Sequence, residues 1–212
     1  MRIVDMQTWP RHEHYQFFKG FNHPHFNMCA NVDLTHLRPY IKSHQISFSV
    51  AITYLISRSA NAIPEFRYRM RDGVLVEHET VSPSVTILVE NDLFSFCLLE
   101  YTHDFQVFAN QATQLIALVK ENPTLKDPPN RDDLLYMTAI PWVSFTSFTH
   151  PMRQHPADYI PRFAWGKITD NGGRSQMPLS VQGHHELMDG IHMGRLYMIL
   201  EDLLAHPETT LG

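Results

Sequence analysis

Apolar residues recur along this chain in two rhythms, one helical and one extended. In residues 33–44, "DLTHLRPYIKSH", Leu34, Leu37 and Ile41 return at helical spacing behind Asp33, an acidic residue suited to an N-cap. Residues 50–66, "VAITYLISRSANAIPEF", place Ile52, Leu55, Ile56 and Ala60 on one helical face, with Pro64 as the stop. Residues 104–122 and 189–206 read as two further helices, the last one long. Between them, "SVTILVE" (84–90), "LFSFCLLEY" (93–101) and "IPWVSFTSF" (140–148) concentrate β-branched and aromatic residues and predict strands. "QMPLSVQGHH" (176–185) predicts another. This mixed order predicts an α/β fold in which a large sheet is flanked by helices, with α+β as the other arrangement. The Pro- and Asp-rich segment 121–133 predicts a surface loop, and no repeat or linker interrupts the chain. One domain spanning residues 1–212 is therefore expected.

Composition narrows the class. A chain of 212 residues that is 43% hydrophobic and 18% charged can bury a sizeable core. A net charge of -5 supplies no basic footprint for nucleic acid. The two cysteines, Cys29 and Cys97, sit in apolar surroundings and are expected as buried free thiols. The N-terminal "MRIVDMQTWPRHEHY" lacks the apolar core of a secretory signal, and no run approaches the ~20 apolar residues of a membrane span. A soluble, cytoplasmic protein without a membrane partner is expected.

Chemistry is concentrated in "QGHHELMDGIH" (182–192), where three histidines and two acids share eleven residues at the junction of a strand and a helix. His185 and Asp189 stand at i and i+4, followed by Gly190. A histidine at a strand end faces a cleft readily and titrates near neutrality, which suits general acid–base work. Asp189 suits a helix start, where a carboxylate meets unpaired N–H groups and the positive end of the dipole. Three readings fit these residues alone: a structural histidine pair beside a capping acid, a catalytic histidine, or a metal set of His185, Asp189 and His192. "HELMD" departs from the zinc motif HExxH at its last ligand.

The segment also carries the pattern HHxxxDG, shared by chloramphenicol acetyltransferases, dihydrolipoamide acyltransferases and peptide-synthetase condensation domains. With "TWPRHEHYQFF" (8–18), "NAIPEFRYRMRDGVLVEHETVSP" (61–83), "PWVSFTSF" (141–148) and "MPLSVQGHH" (177–185) in order, nearly the whole chain resembles the chloramphenicol acetyltransferase family. The resemblance implies a two-layer sandwich of a large mixed β-sheet with flanking helices, assembled as a homotrimer with active sites between subunits. It implies direct transfer of an acetyl group from acetyl-CoA to a hydroxyl of a small acceptor, with no metal. His185 is then the general base and Asp189 its anchor. Arg11 in "WPRHEH" pairs with Asp189, and His184 is structural. His192 becomes an ordinary position on the following helix.

Departures from the family pattern fall around the other site positions. Thr138 stands where the family has the serine that donates to the oxyanion, and Ala164 stands where a second hydroxyl is usual. On the coenzyme side, Trp142 and Lys167 match, whereas Ile168 and "SFSV" (47–50) do not. Phe17, Phe18 and Phe94 match aromatic walls of the acceptor pocket, with tyrosine usual at the second. His150 and Arg162 fall at positions that are apolar in the family. Either those two side chains point to solvent, or the acceptor is more polar than chloramphenicol. A catalytically weak trimeric binding protein is the other class to weigh. A carrier-protein-dependent condensation enzyme is about twice this length.

Overall fold

A computed structural model describes residues 1–126, 129–153 and 157–212 of the chain. Its elements in chain order are β1 (Arg2–Ile3), α1 (His12–Phe18), β2 (His25–Asp33), α2 (Leu37–Ser43), α3 (Phe48–Asn61), α4 (Pro64–Arg67), β3 (Tyr68–Arg71), β4 (Val74–Glu77), β5 (Ser82–Leu88), β6 (Phe94–Leu98), α5 (Phe105–Glu121), β7 (Leu134–Ala139), β8 (Arg162–Trp165), β9 (Thr169–Asn171), β10 (Arg174–His184), α6 (Gly190–Ala205) and α7 (Glu208–Leu211). A mixed seven-stranded sheet runs in the order β2-β10-β8-β7-β5-β6, with β9 added to β10. β7 is parallel to both β5 and β8, and the remaining pairs are antiparallel. A small sheet of order β1-β4-β3 stands apart.

The main core follows from strand alternation. Met177, Leu179 and Val181 of β10 are fully buried against the cluster that holds Ile52, Leu55 and Ile56 of α3 and Met193, Leu196 and Leu200 of α6. The intervening residues of β10, Ser180, Gln182 and His184, face the other side and are buried too. Among the described residues, irregular chain around Phe148 and His150 meets that polar face. Phe148 presents its carbonyl to Ser180 Oγ (2.7 Å) and to Asn27 Nδ2 (2.8 Å), and the His150 N–H donates to Gln182 Oε1 at 2.9 Å.

Those bonds correct the strand predicted over 140–148, which is not extended ladder. Pro141 has no N–H to give a neighbour, and side chains of the sheet below hold parts of this covering segment. The strand of this region is β7, just before it. Asp33 closes β2 rather than capping a helix, and its carboxylate instead accepts from the Thr35 N–H at 2.8 Å. Pro64 does not end α3, which stops at Asn61; it opens the single turn α4, where a missing N–H costs nothing. Asp104 does cap α5, accepting from the Val107 N–H at 3.0 Å. Cys29 and Cys97 are free thiols, and burial pushes Cys97 up to about 11. Among the described residues no helix is long and apolar enough to cross a membrane.

Candidate active site

A second, smaller core brings the N-terminus to the end of β10. Trp9, Tyr15, Tyr68, Leu75 and Leu187 form one buried cluster, with Trp9 edge-on to Tyr68 at 5.8 Å. Burying Leu187 beside Trp9 carries the 185–189 turn to the start of α1, whose N-cap is Arg11. The turn itself folds tightly, with the Leu187 and Met188 N–H groups both donating to the His184 carbonyl. Gly183 permits this, because a Cβ there would stand 2.2 Å from Met188 Sδ.

Arg11 meets Asp189 through both terminal nitrogens, the NH2–Oδ1 pair at 3.1 Å, and donates from NH2 to the His185 carbonyl at 3.0 Å. Asp189 Oδ1 in turn lies 3.0 Å from His185 Nδ1. That contact is electrostatic, since the ring nitrogen has no well-aligned acceptor. Burial alone would raise the Asp189 carboxyl, but the Arg11 bonds and charge win and hold it below the usual range. The His185 ring stacks on Phe18 at 4.1 Å, 12° from parallel, and packs on Phe26 at 4.4 Å. Phe17, 67% exposed, and Phe21 complete an aromatic group around Phe18. Phe21 was not singled out from the sequence.

The other expected residues gather elsewhere. Thr138 is the penultimate residue of β7, and its hydroxyl shares a 2.7 Å hydrogen bond with Thr86 Oγ1. Just beyond, Trp142 is 65% exposed, and exposed Lys167 is tied to the same turn through its N–H on the Val143 carbonyl at 2.9 Å. Gly166 allows that approach, a Cβ there falling 2.7 Å from the Val143 carbonyl. Phe94, half exposed, pairs with Leu88 at the same end of the sheet. Ser47 is the N-cap of α3 and makes no side-chain capping bond.

Strand register measures the gap between the two groups. Thr138 is level with Ala164 and Ala164 with Ser180, which precedes His185 by five residues. Five residues of strand and two strand spacings separate Thr138 from His185 by roughly 16 Å along and roughly 10 Å across, or roughly 19 Å in all. Within one chain the base and the hydroxyl therefore do not face one reacting carbonyl.

His150 and Arg162 belong to neither solvent nor an apolar wall. Arg162 is 8% exposed; its NH2 donates to Asp158 Oδ2 at 2.5 Å, its NH1 to the Ile160 carbonyl at 3.1 Å, and the guanidinium lies 5.0 Å from the Tyr136 ring centre. Half-buried His150 is pushed down to about 4 by burial and by the Arg162 charge, so it is neutral near pH 7. The solvent-facing alternative is thus corrected. Tyr136, Arg162, Gln182 and Asn27 are in register across four strands, two residues from the Thr138 row. Asp158 lies only four residues before Arg162, but no periodic pattern marks that irregular approach to β8; Gln182 reaches Arg162 only through strand pairing. His184 is fully buried, and burial with the neighbouring His25 holds it at about 3, a structural imidazole.

His192 is not an ordinary helix position: its Nδ1 accepts from the Asp189 N–H at 2.8 Å. Its place three residues after an N-cap acid was the available signal. Among the described residues no group of three or more His, Cys, Asp or Glu is placed to hold a metal.

The sequence matches the chloramphenicol acetyltransferase family profile over residues 1–201. It is 34% identical over 194 residues to a chloramphenicol acetyltransferase of Escherichia coli, covering 91% of this chain and 89% of that one. It is 33% identical over 195 residues to one of Proteus mirabilis, covering 92% and 90%. A solved chloramphenicol acetyltransferase superposes with a TM-score of 0.84 at 29% identity, over 96% of this chain and 99% of that chain. A dihydrolipoamide acetyltransferase of Azotobacter vinelandii shares the fold, with a TM-score of 0.70 at 16% identity over 89% and 84%.

Proposed function

We infer the chemistry from one premise: the chain belongs to the chloramphenicol acetyltransferase family. It is an acetyl-CoA-dependent O-acetyltransferase. The observation that carries the mechanism is the clamp of Arg11 on Asp189, with Asp189 Oδ1 3.0 Å from His185 Nδ1. A carboxylate at Nδ1 favours the ring proton there and leaves the lone pair on Nε2. Nε2 takes the proton of the acceptor hydroxyl as its oxygen attacks the thioester carbonyl. General-base help of this kind is worth ~10²–10⁴ in rate. No acyl-enzyme is required.

The attacked carbonyl oxygen becomes an oxyanion, and the Thr138 hydroxyl is the donor for it. When Thr86 is the donor in their shared bond, the Thr138 proton is free for the oxyanion and is strengthened through cooperativity. Trp142 and Lys167 hold the coenzyme: an exposed indole and an exposed lysine on two segments joined by the Lys167 N–H to Val143 carbonyl bond fit a pantetheine arm ending in phosphates. The half-sites, roughly 19 Å apart in one chain, meet when His185 of one subunit faces Thr138 of another. Joining two unlike patches head to tail closes a ring, and a homotrimer is the ring proposed. The acceptor lies between Phe17 and Phe18 on the base side and Phe94, His150 and Arg162 on the other. Arg162 is already neutralised by Asp158, so this polar wall suits an uncharged, hydrogen-bonding acceptor better than an anion.

The test is thiol release from acetyl-CoA with a panel of hydroxylated acceptors, chloramphenicol included. His185→Ala should lower kcat by ~10³ or more with the thermal transition unchanged. Undiminished release would remove His185 from the role of base.

A further inference from the structure

The N-terminus of α6 begins with N–H groups that no helical carbonyl can reach. In the usual capping box a Glu or Gln at the third helical position returns to the N–H of the N-cap residue. Here the N-cap is Asp189 and the third position is His192, whose Nδ1 accepts from the Asp189 N–H at 2.8 Å. An accepting Nδ1 carries no proton, so the ring proton sits on Nε2. That nitrogen lies 3.3 Å from Glu65 Oε1, on the single turn α4 opened by Pro64. The ring is buried, with little freedom to leave this position. Burial and the Arg11 and Arg195 charges push His192 down and favour the neutral ring, against the opposing pull of Glu65 and Asp189.

Asp189 is the residue whose carboxylate meets both Arg11 and His185. Its main chain is held by His192 and its side chain by Arg11, so the two together set where the carboxylate stands. We propose that His192 is a positioning residue for the base, fixing Asp189 through its N–H and held in the required tautomer by Glu65. The line of contact runs Glu65, His192, the Asp189 main chain and carboxylate, and His185, and links α4 to the active site through four residues. This rests on the reading of His185 as the base.

The test compares H192L, H192Q and E65A in steady-state kinetics of the trimeric enzyme, with thermal unfolding measured alongside. Leucine removes both ring nitrogens; glutamine restores an acceptor for Asp189 and a donor for Glu65. H192L should lose roughly 5- to 10-fold in kcat, the equivalent of one helix cap, with KM for acetyl-CoA and acceptor unchanged. H192Q should recover most of that loss, which a role in packing alone would not restore. E65A should show a smaller loss in kcat only, and it carries the test if H192L does not fold. Parental kcat in H192L, or no recovery in an equally folded H192Q, would overturn the proposal; should H192L not fold, parental kcat in E65A would do so. A fully active H185A would instead remove the underlying reading, whereas an inactive H185A beside a parental H192L would remove this inference alone.

Discussion

Arg69 and Arg11 are both buried cations, and they are held by different partners. Arg69, 1% exposed, donates to four main-chain carbonyls, those of Asp132 and Leu134 at 2.6 Å, Tyr68 at 2.6 Å and Phe66 at 3.0 Å. Burial draws it down to about 10, so it remains charged at neutral pH. Its direct partners are main-chain carbonyls of α4, β3 and the start of β7, with the Asp132, Asp158 and Asp133 charges farther off, and its work is to join the two sheets. Arg11 instead grips one carboxylate and one carbonyl, and both belong to the turn that carries His185. A cation held by scattered carbonyls organises backbone; a cation held by one carboxylate passes its position on to whatever that carboxylate touches.

The comparison breaks most readily at Arg69. Arg69→Met strips a partner from four buried carbonyls, an expected loss of about 4 kcal/mol or more. The thermal transition should fall by roughly 10 °C or more, with kcat of the folded protein unchanged. A variant that kept its stability and lost activity would reverse the roles assigned to the two arginines. Arg11→Ala should do the opposite, lowering kcat by roughly 10- to 100-fold through a misplaced imidazole while moving the transition by only a few degrees. Full activity in that variant would make the ion pair dispensable.

How much of this was legible in the sequence follows from where each interaction comes from. The HHELMDG turn was readable because its chemistry is local, and α3, α5 and α6 because their apolar stripes are long. β2 went unseen: it is an edge strand in which only Val32 is buried, so it shows no apolar alternation, and its pairing with β10 is not visible along a chain. β8 is four residues long and fully buried, too short to show a period. "IPWVSFTSF" has strand composition but covers the sheet instead of joining it. The separation of Thr138 from His185 depends on register across β7, β8 and β10, which no motif records. His192 was readable in principle, as an acid followed three residues later by a side chain able to accept.

A smaller effect separates the neighbouring histidines. His184 is neutral when folded, at about 3, because burial disfavours its cation. The unfolded chain binds that proton near pH 6.5, so the stability at stake is present above ~6.5 and is lost as pH falls toward the folded value. His184→Gln should therefore flatten the acid loss of stability, read by urea unfolding at pH 5 and pH 8. An unchanged difference between the two pH values would mean that His184 is not the group responsible.

The central claim is that a working site joins His185 of one chain to Thr138 of another. It is tested most directly by co-expressing His185→Ala and Thr138→Val chains, each of which is expected to be impaired alone, and measuring acetyl transfer by the mixed oligomers. Random mixing places an intact His185 against an intact Thr138 at about a quarter of the contacts, so about a quarter of the parental rate should return. Activity no greater than that of the two separate variants would contradict it, because a site contained within one chain gains nothing from a partner.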